Sequence, residues 1–286
     1  MKLSKFIPYI IIFSILSGSA LYIYNNLPFR IQHYFEIKKA KSLLTDDYSK
    51  RIFDNSIDFF TTLDDTIPHE LSSRHYIDHP IVHPEKGYTV LDIGVSGFTD
   101  NTEKFIKSVG PEGEVLGIEA NPNVLNIIKD KLGKYPNFTL YHYAVWIKSG
   151  KGYFAIGDDP DNQINDDARI ATTEYDLYKT KNIVEVEYIN VDDFVKKHNI
   201  KKLDYIKYCL ARSEIPGILG SLQTIKKFKP DINVTCETNK SAYTLILKLN
   251  SLNLGYKFYM TEQEPYNKYF RNFFLFATTK DIEQKK

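Results

Sequence analysis

Four residues of the chain have the types and spacing to hold a small charged ligand: Asp92, Gly94, Gly97 and Glu119. Asp92, Gly94 and Gly97 stand in the run VLDIGVSGFTD, and Glu119 follows 22 residues after Gly97. A strand, a glycine turn, a helix and a second strand with an acid at its tip make a nucleotide-type pocket at the carboxyl edge of a parallel sheet. A turn that binds a pyrophosphate offers bare amides to an anion. A carboxylate at Asp92 would repel that anion. It suits instead a ligand with a cationic end, such as the ammonium and sulfonium of S-adenosylmethionine.

These residues need a scaffold, and the pattern around them supplies one. Strands are predicted at 88–93, 114–119, 138–145, 204–209, 231–236, 256–260 and 272–277, from runs rich in β-branched and aromatic residues. Helices are predicted at 101–109, 122–132, 191–197, 214–228 and 243–252, from apolar residues at three- and four-residue spacing. Asn121 before Pro122 is a cap followed by a helix-starting proline. Segments 151–156 and 183–189 form an additional strand pair around an acidic stretch at 157–167. The alternation predicts an α/β fold, a doubly wound and mostly parallel seven-stranded sheet with helices on both faces.

The motifs in order resemble the FkbM family of S-adenosylmethionine-dependent methyltransferases across 88–278. VLDIGVSGFTD resembles the first motif and GIEANPN the second, with Glu119 where an acid holds the ribose hydroxyls. YHYAVW, with Ala144, resembles the segment that borders the adenine, and NVDDF the Leu-Asp-Asp block. KKFKPDINVTCE and LGYKFY resemble the fifth and sixth strands. The resemblance implies a Rossmann-like methyltransferase fold, S-adenosylmethionine as cofactor, and Asp92, Gly94, Gly97, Glu119, Asn121 and Ala144 as its contacts. It also implies O-methylation of a glycan or another small hydroxyl acceptor.

The chain departs from the family after the fourth strand. The family pattern is Ile-Lys-x-Asp-x-Glu-Gly-x-Glu. Here Lys207 and Glu214 match, while Cys209, Ala211 and Arg212 replace Asp, Glu and Gly. Lys207, Glu214 and Glu237 are therefore the candidate catalytic residues, with Asp192 a further acid nearby. Phe98 stands close to where a further glycine is common. A catalytically degenerate binding or scaffold protein at a membrane is the alternative to an enzyme.

Composition bounds the rest. The 286 residues carry a net charge of +1, which gives no basic field for nucleic acid. Two cysteines, Cys209 and Cys236, make no disulfide scaffold. His69, His75, His79 and His83 cluster, but Pro80 and Pro84 break the helix that would align them, so a polar loop is expected and no metal site. Residues 6–24 are uncharged, about 28 Å as a helix, close to the roughly 30 Å of a bilayer core. They predict a single-pass signal-anchor, with a cleaved signal peptide as the competing reading. Lys2 and Lys5 on one side and Arg30, Lys38 and Lys39 on the other do not choose an orientation. The expected organisation is a tail at 1–5, the anchor at 6–24, a stalk or cap at 25–86, the methyltransferase-like domain at 87–279 and a tail at 280–286.

Overall fold

The computed structural model describes residues 28–62, 79–156, 169–170, 182–238, 240–263 and 272–280. Residues 6–24, His69, His75 and the stretch 157–167 lie outside the described residues. Among the described residues, no helix is long and apolar enough to cross a membrane.

Three helices open the described chain: α1 (Phe29–Gln32), α2 (Tyr34–Ser42) and α3 (Asp47–Thr62). Strand β1 (Thr89–Ile93), helix α4 (Asp100–Val109), β2 (Glu114–Glu119), α5 (Leu125–Leu132) and β3 (Phe138–His142) follow in alternation. Then come the short β4 (Ala144–Val145), β5 (Gly150–Ala155), β6 (Arg169–Ile170), β7 (Ile183–Ile189) and α6 (Val191–Lys197). The chain continues through β8 (Tyr205–Tyr208), α7 (Glu214–Leu219), α8 (Leu222–Phe228), β9 (Asp231–Cys236), α9 (Ser241–Asn250), β10 (Lys257–Gln263) and β11 (Asn272–Thr278).

Seven strands form one sheet in the order β10-β11-β9-β8-β1-β2-β3. All pairs are parallel except those of β11, which runs antiparallel to β9 and β10. This is the doubly wound, mostly parallel seven-stranded sheet that the sequence predicts. The strand order reverses at β1, which has β2 on one side and β8 on the other. A crevice opens at such a switch point outside the carboxyl ends of the strands, where ligands bind in open α/β sheets.

Each strand alternates its side chains between two faces. One face carries Leu91, Ile93, Ile206, Tyr208, Val234 and Leu275, packed under α2, α3 and the helices after β7. Ile37, Ala40, Leu44, Ile52, Phe53 and Ile57 of α2, α3 and the turn between them join this core. The opposite face carries Val90, Val115, Tyr205, Phe274 and Phe276 against α4 and α5. His79 belongs here: its Nδ1 accepts from the amides of Ile81 and Val82, and its ring stacks on Phe276 at 4.6 Å. Among the described residues, no cluster of His, Cys, Asp or Glu could hold a metal ion.

Two elements differ from the sequence expectation. The strand 138–145 divides at Tyr143: β3 ends the main sheet, while β4 joins the four-stranded sheet β4-β7-β5-β6. The helix 214–228 divides at Gly220 and Ser221. The Gly220 carbonyl accepts from Asp192 N at 3.1 Å, and the Asp192 carboxylate accepts from the amides of Gln223 and Thr224 at 3.1 and 2.7 Å. Asp192 therefore caps the start of α8, a structural use of that acid. A side chain at Gly220 would press its Cβ to 2.5 Å from the Trp146 carbonyl, so glycine is what lets these segments meet.

Candidate functional site

The glycine turn leaves β1 at Gly94, whose φ of 79° lies in the left-handed region. The Gly94 amide bonds the Ile118 carbonyl at 2.9 Å. A Cβ on Gly94 would lie 2.0 Å from the carbonyl oxygen of Cys209, so the turn lies directly against the tip of β8. Ser96 also has a positive φ, 62°, and its Oγ accepts from Phe98 N at 3.0 Å. Lys131 Nζ bonds the Gly97 carbonyl at 3.1 Å, tying α5 to the turn. Phe98 is half-exposed at 51%, beside this turn.

Glu119 at the tip of β2 is buried and accepts from three amides. Its Oε2 accepts from Ser96 N at 2.9 Å, and its Oε1 from Ala120 N and Asn121 N at 2.8 Å each. Burial raises its carboxyl, and the three amides and Lys207 oppose that shift. The Asn121 side chain accepts from Asn123 N and caps the turn at Pro122–Val124. The Glu119 carbonyl takes the Tyr143 amide at 3.2 Å, which places Ala144 next to the β2 tip. Glu119, Asn121, Ala144 and the Gly94–Ser96 turn thus converge at one edge.

Asp92 has a different neighbour from the one its position suggests. It is fully buried and lies in register with Lys207 on the adjacent strand. Lys207 Nζ is 2.9 Å from Asp92 Oδ1 and donates to the Gly94 carbonyl at 2.7 Å. Thr102 Oγ1 donates to Asp92 Oδ2 at 2.6 Å. Burial works against the Lys207 charge, but the carboxylates of Asp92 and Glu119 outweigh it and its pKa is raised. The cation that answers Asp92 is therefore supplied by the chain. The pair fastens β1, its turn and β8 to each other.

The third group sits at the carboxyl ends of β8 and β9. Glu214 is buried, and its Oε1 accepts from Leu210 N at 3.3 Å and Arg212 N at 3.2 Å. Burial, then the charge of Glu237, push its carboxyl up to about 8. Cys209 sits between these groups, and burial pushes its thiol up to about 11, so it is neutral at physiological pH and no thiolate nucleophile. Cys209 and Cys236 are both free thiols. Cys209 follows Lys207 on one sheet face, while Cys236 lies with Val234 on the other.

Between Cys209 and Glu214 the backbone turns through two left-handed residues, Ala211 with φ of 42° and Arg212 with φ of 75°. The family pattern has glycine at the Arg212 position. A left-handed non-glycine residue costs about 1–2 kcal/mol, and glycine gives back about 0.5–1 kcal/mol through its freer unfolded chain. Arg212→Gly is therefore expected to stabilise the protein by up to about 1 kcal/mol. Urea unfolding checks this: the midpoint should rise at unchanged slope, and a lower midpoint would show that the arginine side chain contributes more than its backbone costs.

These atoms offer S-adenosylmethionine an acceptor for its ribose. A carboxylate has about four acceptor positions, and Glu119 uses three on amides. One is left for a ribose hydroxyl. With the Ala144 and Asn121 backbone at the same edge, the residues fit this group.

Residues 85–258 match the family described as Methyltransferase FkbM domain. Among solved structures, a methyltransferase FkbM from Methylobacillus flagellatus KT is similar at a TM-score of 0.65 and 15% identity, over 86% of this chain and 59% of that one. The chain thus spans about three fifths of that protein's length. Aeropyrum pernix fibrillarin with bound S-adenosyl-L-methionine is similar at 0.42 and 13% identity, over 71% and 70% of the two chains. A precorrin-6y C5,15-methyltransferase from Geobacter metallireducens GS-15 gives 0.43 and 12% identity, over 74% and 95%. No curated protein sequence matches.

Proposed function

The chain belongs to the FkbM methyltransferase family, whose members use S-adenosylmethionine, and from that premise we propose that it methylates a hydroxyl acceptor, a glycan or another small molecule, with Glu214 as proton acceptor. Bound S-adenosylmethionine supplies a methyl group already activated by its sulfonium. Glu119 would hold the ribose, Asn121 and Ala144 would border the base, and the Gly94–Gly97 turn would close over the rest. Asp92 and Lys207 position that turn.

The observation that carries this reading is the buried Glu214 beside Glu237, its carboxyl pushed up to about 8, five residues after Cys209, whose carbonyl lies against Gly94. A hydroxyl needs a base, and a base works best with a pKa near the operating pH. Glu214 is held in place by the Leu210 and Arg212 amides and has acceptor positions left. We also assign residues 6–24 to a bilayer-spanning anchor, on their 19 uncharged residues.

Glu214→Gln tests the chemistry. Transfer of labelled methyl to a panel of hydroxyl acceptors is expected to rise with pH through about 8 in the native chain. In the variant it should fall by about 10²–10⁴ and lose that rise. An unchanged profile would remove Glu214 from the reaction. The degenerate reading has its support in Cys209, Ala211 and Arg212, and cofactor binding with no methyl transfer to any acceptor would establish it.

A further inference from the structure

The described chain begins beside the candidate catalytic edge. Phe29 of α1 and His33 pack on Tyr243, at ring distances of 6.2 and 5.6 Å. Tyr243 lies in the first turn of α9, and α9 starts just after Glu237 at the end of β9. Only residues 25–27 separate the uncharged run 6–24 from Pro28, and four peptide steps reach at most about 14 Å. The described chain therefore opens at the edge that holds Glu237 and Glu214, and the uncharged run 6–24 precedes Pro28 by only three residues.

The next helix carries a surface of matching chemistry. On α2, Ile37 and Ala40 are buried, while Phe35, Lys38 and Lys39 share the opposite face and are exposed. Phe35 is 59% exposed, the most exposed large apolar residue among those described, and it packs edge-on to Tyr34 at 5.4 Å. Lys38 Nζ lies 5.7 Å from the Tyr34 ring centre. An aromatic pair with two lysines, about 10 Å along the helix from the entry point, suits the interface layer of a bilayer. Its lysines suit anionic headgroups.

We propose that the carboxyl edge of the sheet faces the bilayer entered by residues 6–24, with Phe35, Lys38 and Lys39 in an anionic headgroup layer, so that the acceptor is a membrane-resident amphiphile bearing a hydroxyl. The acceptor class rests on the methyltransferase reading. The orientation does not.

The test uses the full chain in vesicles of about one third phosphatidylglycerol in phosphatidylcholine. Three variants, Phe35→Cys, Lys240→Cys and Glu112→Cys, each carry a polarity-sensitive fluorophore, with the labelled native chain subtracted for Cys209. Lys240 starts α9 at the carboxyl edge, and Glu112 precedes β2 at the opposite edge. Brominated lipids are expected to quench the labels at 35 and 240 and to leave the label at 112 unaffected. Stronger quenching at 112, equal quenching at all three, or a chain that does not float with the vesicles would overturn the proposal. The same measurement on Glu119→Ala should give the same pattern, so failure of cofactor binding is read separately from failure of the orientation.

Discussion

Asp92→Asn and Lys207→Met are each expected to destabilise the protein by about 3–5 kcal/mol, and the double variant by much less than their sum. The two charges are 2.9 Å apart, with side chains 0% and 4% exposed. Removing one leaves the other buried without its counter-charge, and that uncompensated charge is the main cost. Removing both eliminates the charge altogether. What remains missing is the Lys207 bond to the Gly94 carbonyl and, in part, the Thr102 bond to Asp92. The double variant should therefore fold with a loosened glycine turn. Urea unfolding of the three variants measures this coupling. Additive losses, with each single change below about 1 kcal/mol, would mean that the pair is screened by water that the packed site excludes.

This pair also marks how far the sequence could be read. Asp92 and Lys207 were both legible as site residues, from the glycine turn and from the family pattern. Their contact was not, because it joins residues 115 positions apart through the register of two parallel strands. No local pattern encodes which strand lies next to β1. The strands themselves were legible, since β2, β7 and β9 match their expected bounds and each carries both Val and Ile. The misread elements failed where distant groups intervene. The 214–228 helix has continuous apolar spacing, yet Asp192 from another helix caps its second half. The strand at 138–145 has uniform composition, yet Tyr143 follows the Glu119 carbonyl into a second sheet.

The left-handed residues divide in the same way. Gly94 announces its turn, because glycine adopts a positive φ without a steric penalty. Ser96 and Arg212 give no such signal, and Gly97, which was expected to serve the turn, has no positive φ. The positive-φ position falls one residue before Gly97, at Ser96. The Glu119 carboxylate holds the Ser96 amide there at 2.9 Å.

That bond shapes the second large effect. Glu119→Ala is expected to weaken S-adenosylmethionine binding by about 10² or more. A hydrogen bond from a ribose hydroxyl to a charged group is worth about 1.5–3 kcal/mol, and loss of the turn's anchor adds to it. The substitution also strips three amides, those of Ser96, Ala120 and Asn121, of their acceptor. The turn should loosen even without ligand. Glu119→Gln separates the two roles, because an amide oxygen can still accept from one side of the turn while the charge is gone. Its affinity should fall between those of the native chain and the alanine variant.

We propose that this edge of the sheet holds S-adenosylmethionine, with Glu119 as the anchoring acid. Calorimetric titration of the full chain with S-adenosylmethionine, native beside Glu119→Ala, tests it most directly. Saturable binding in the native chain and its loss in the variant are predicted. No binding at about millimolar ligand, or equal affinity in the two proteins, would remove Glu119 from the cofactor site.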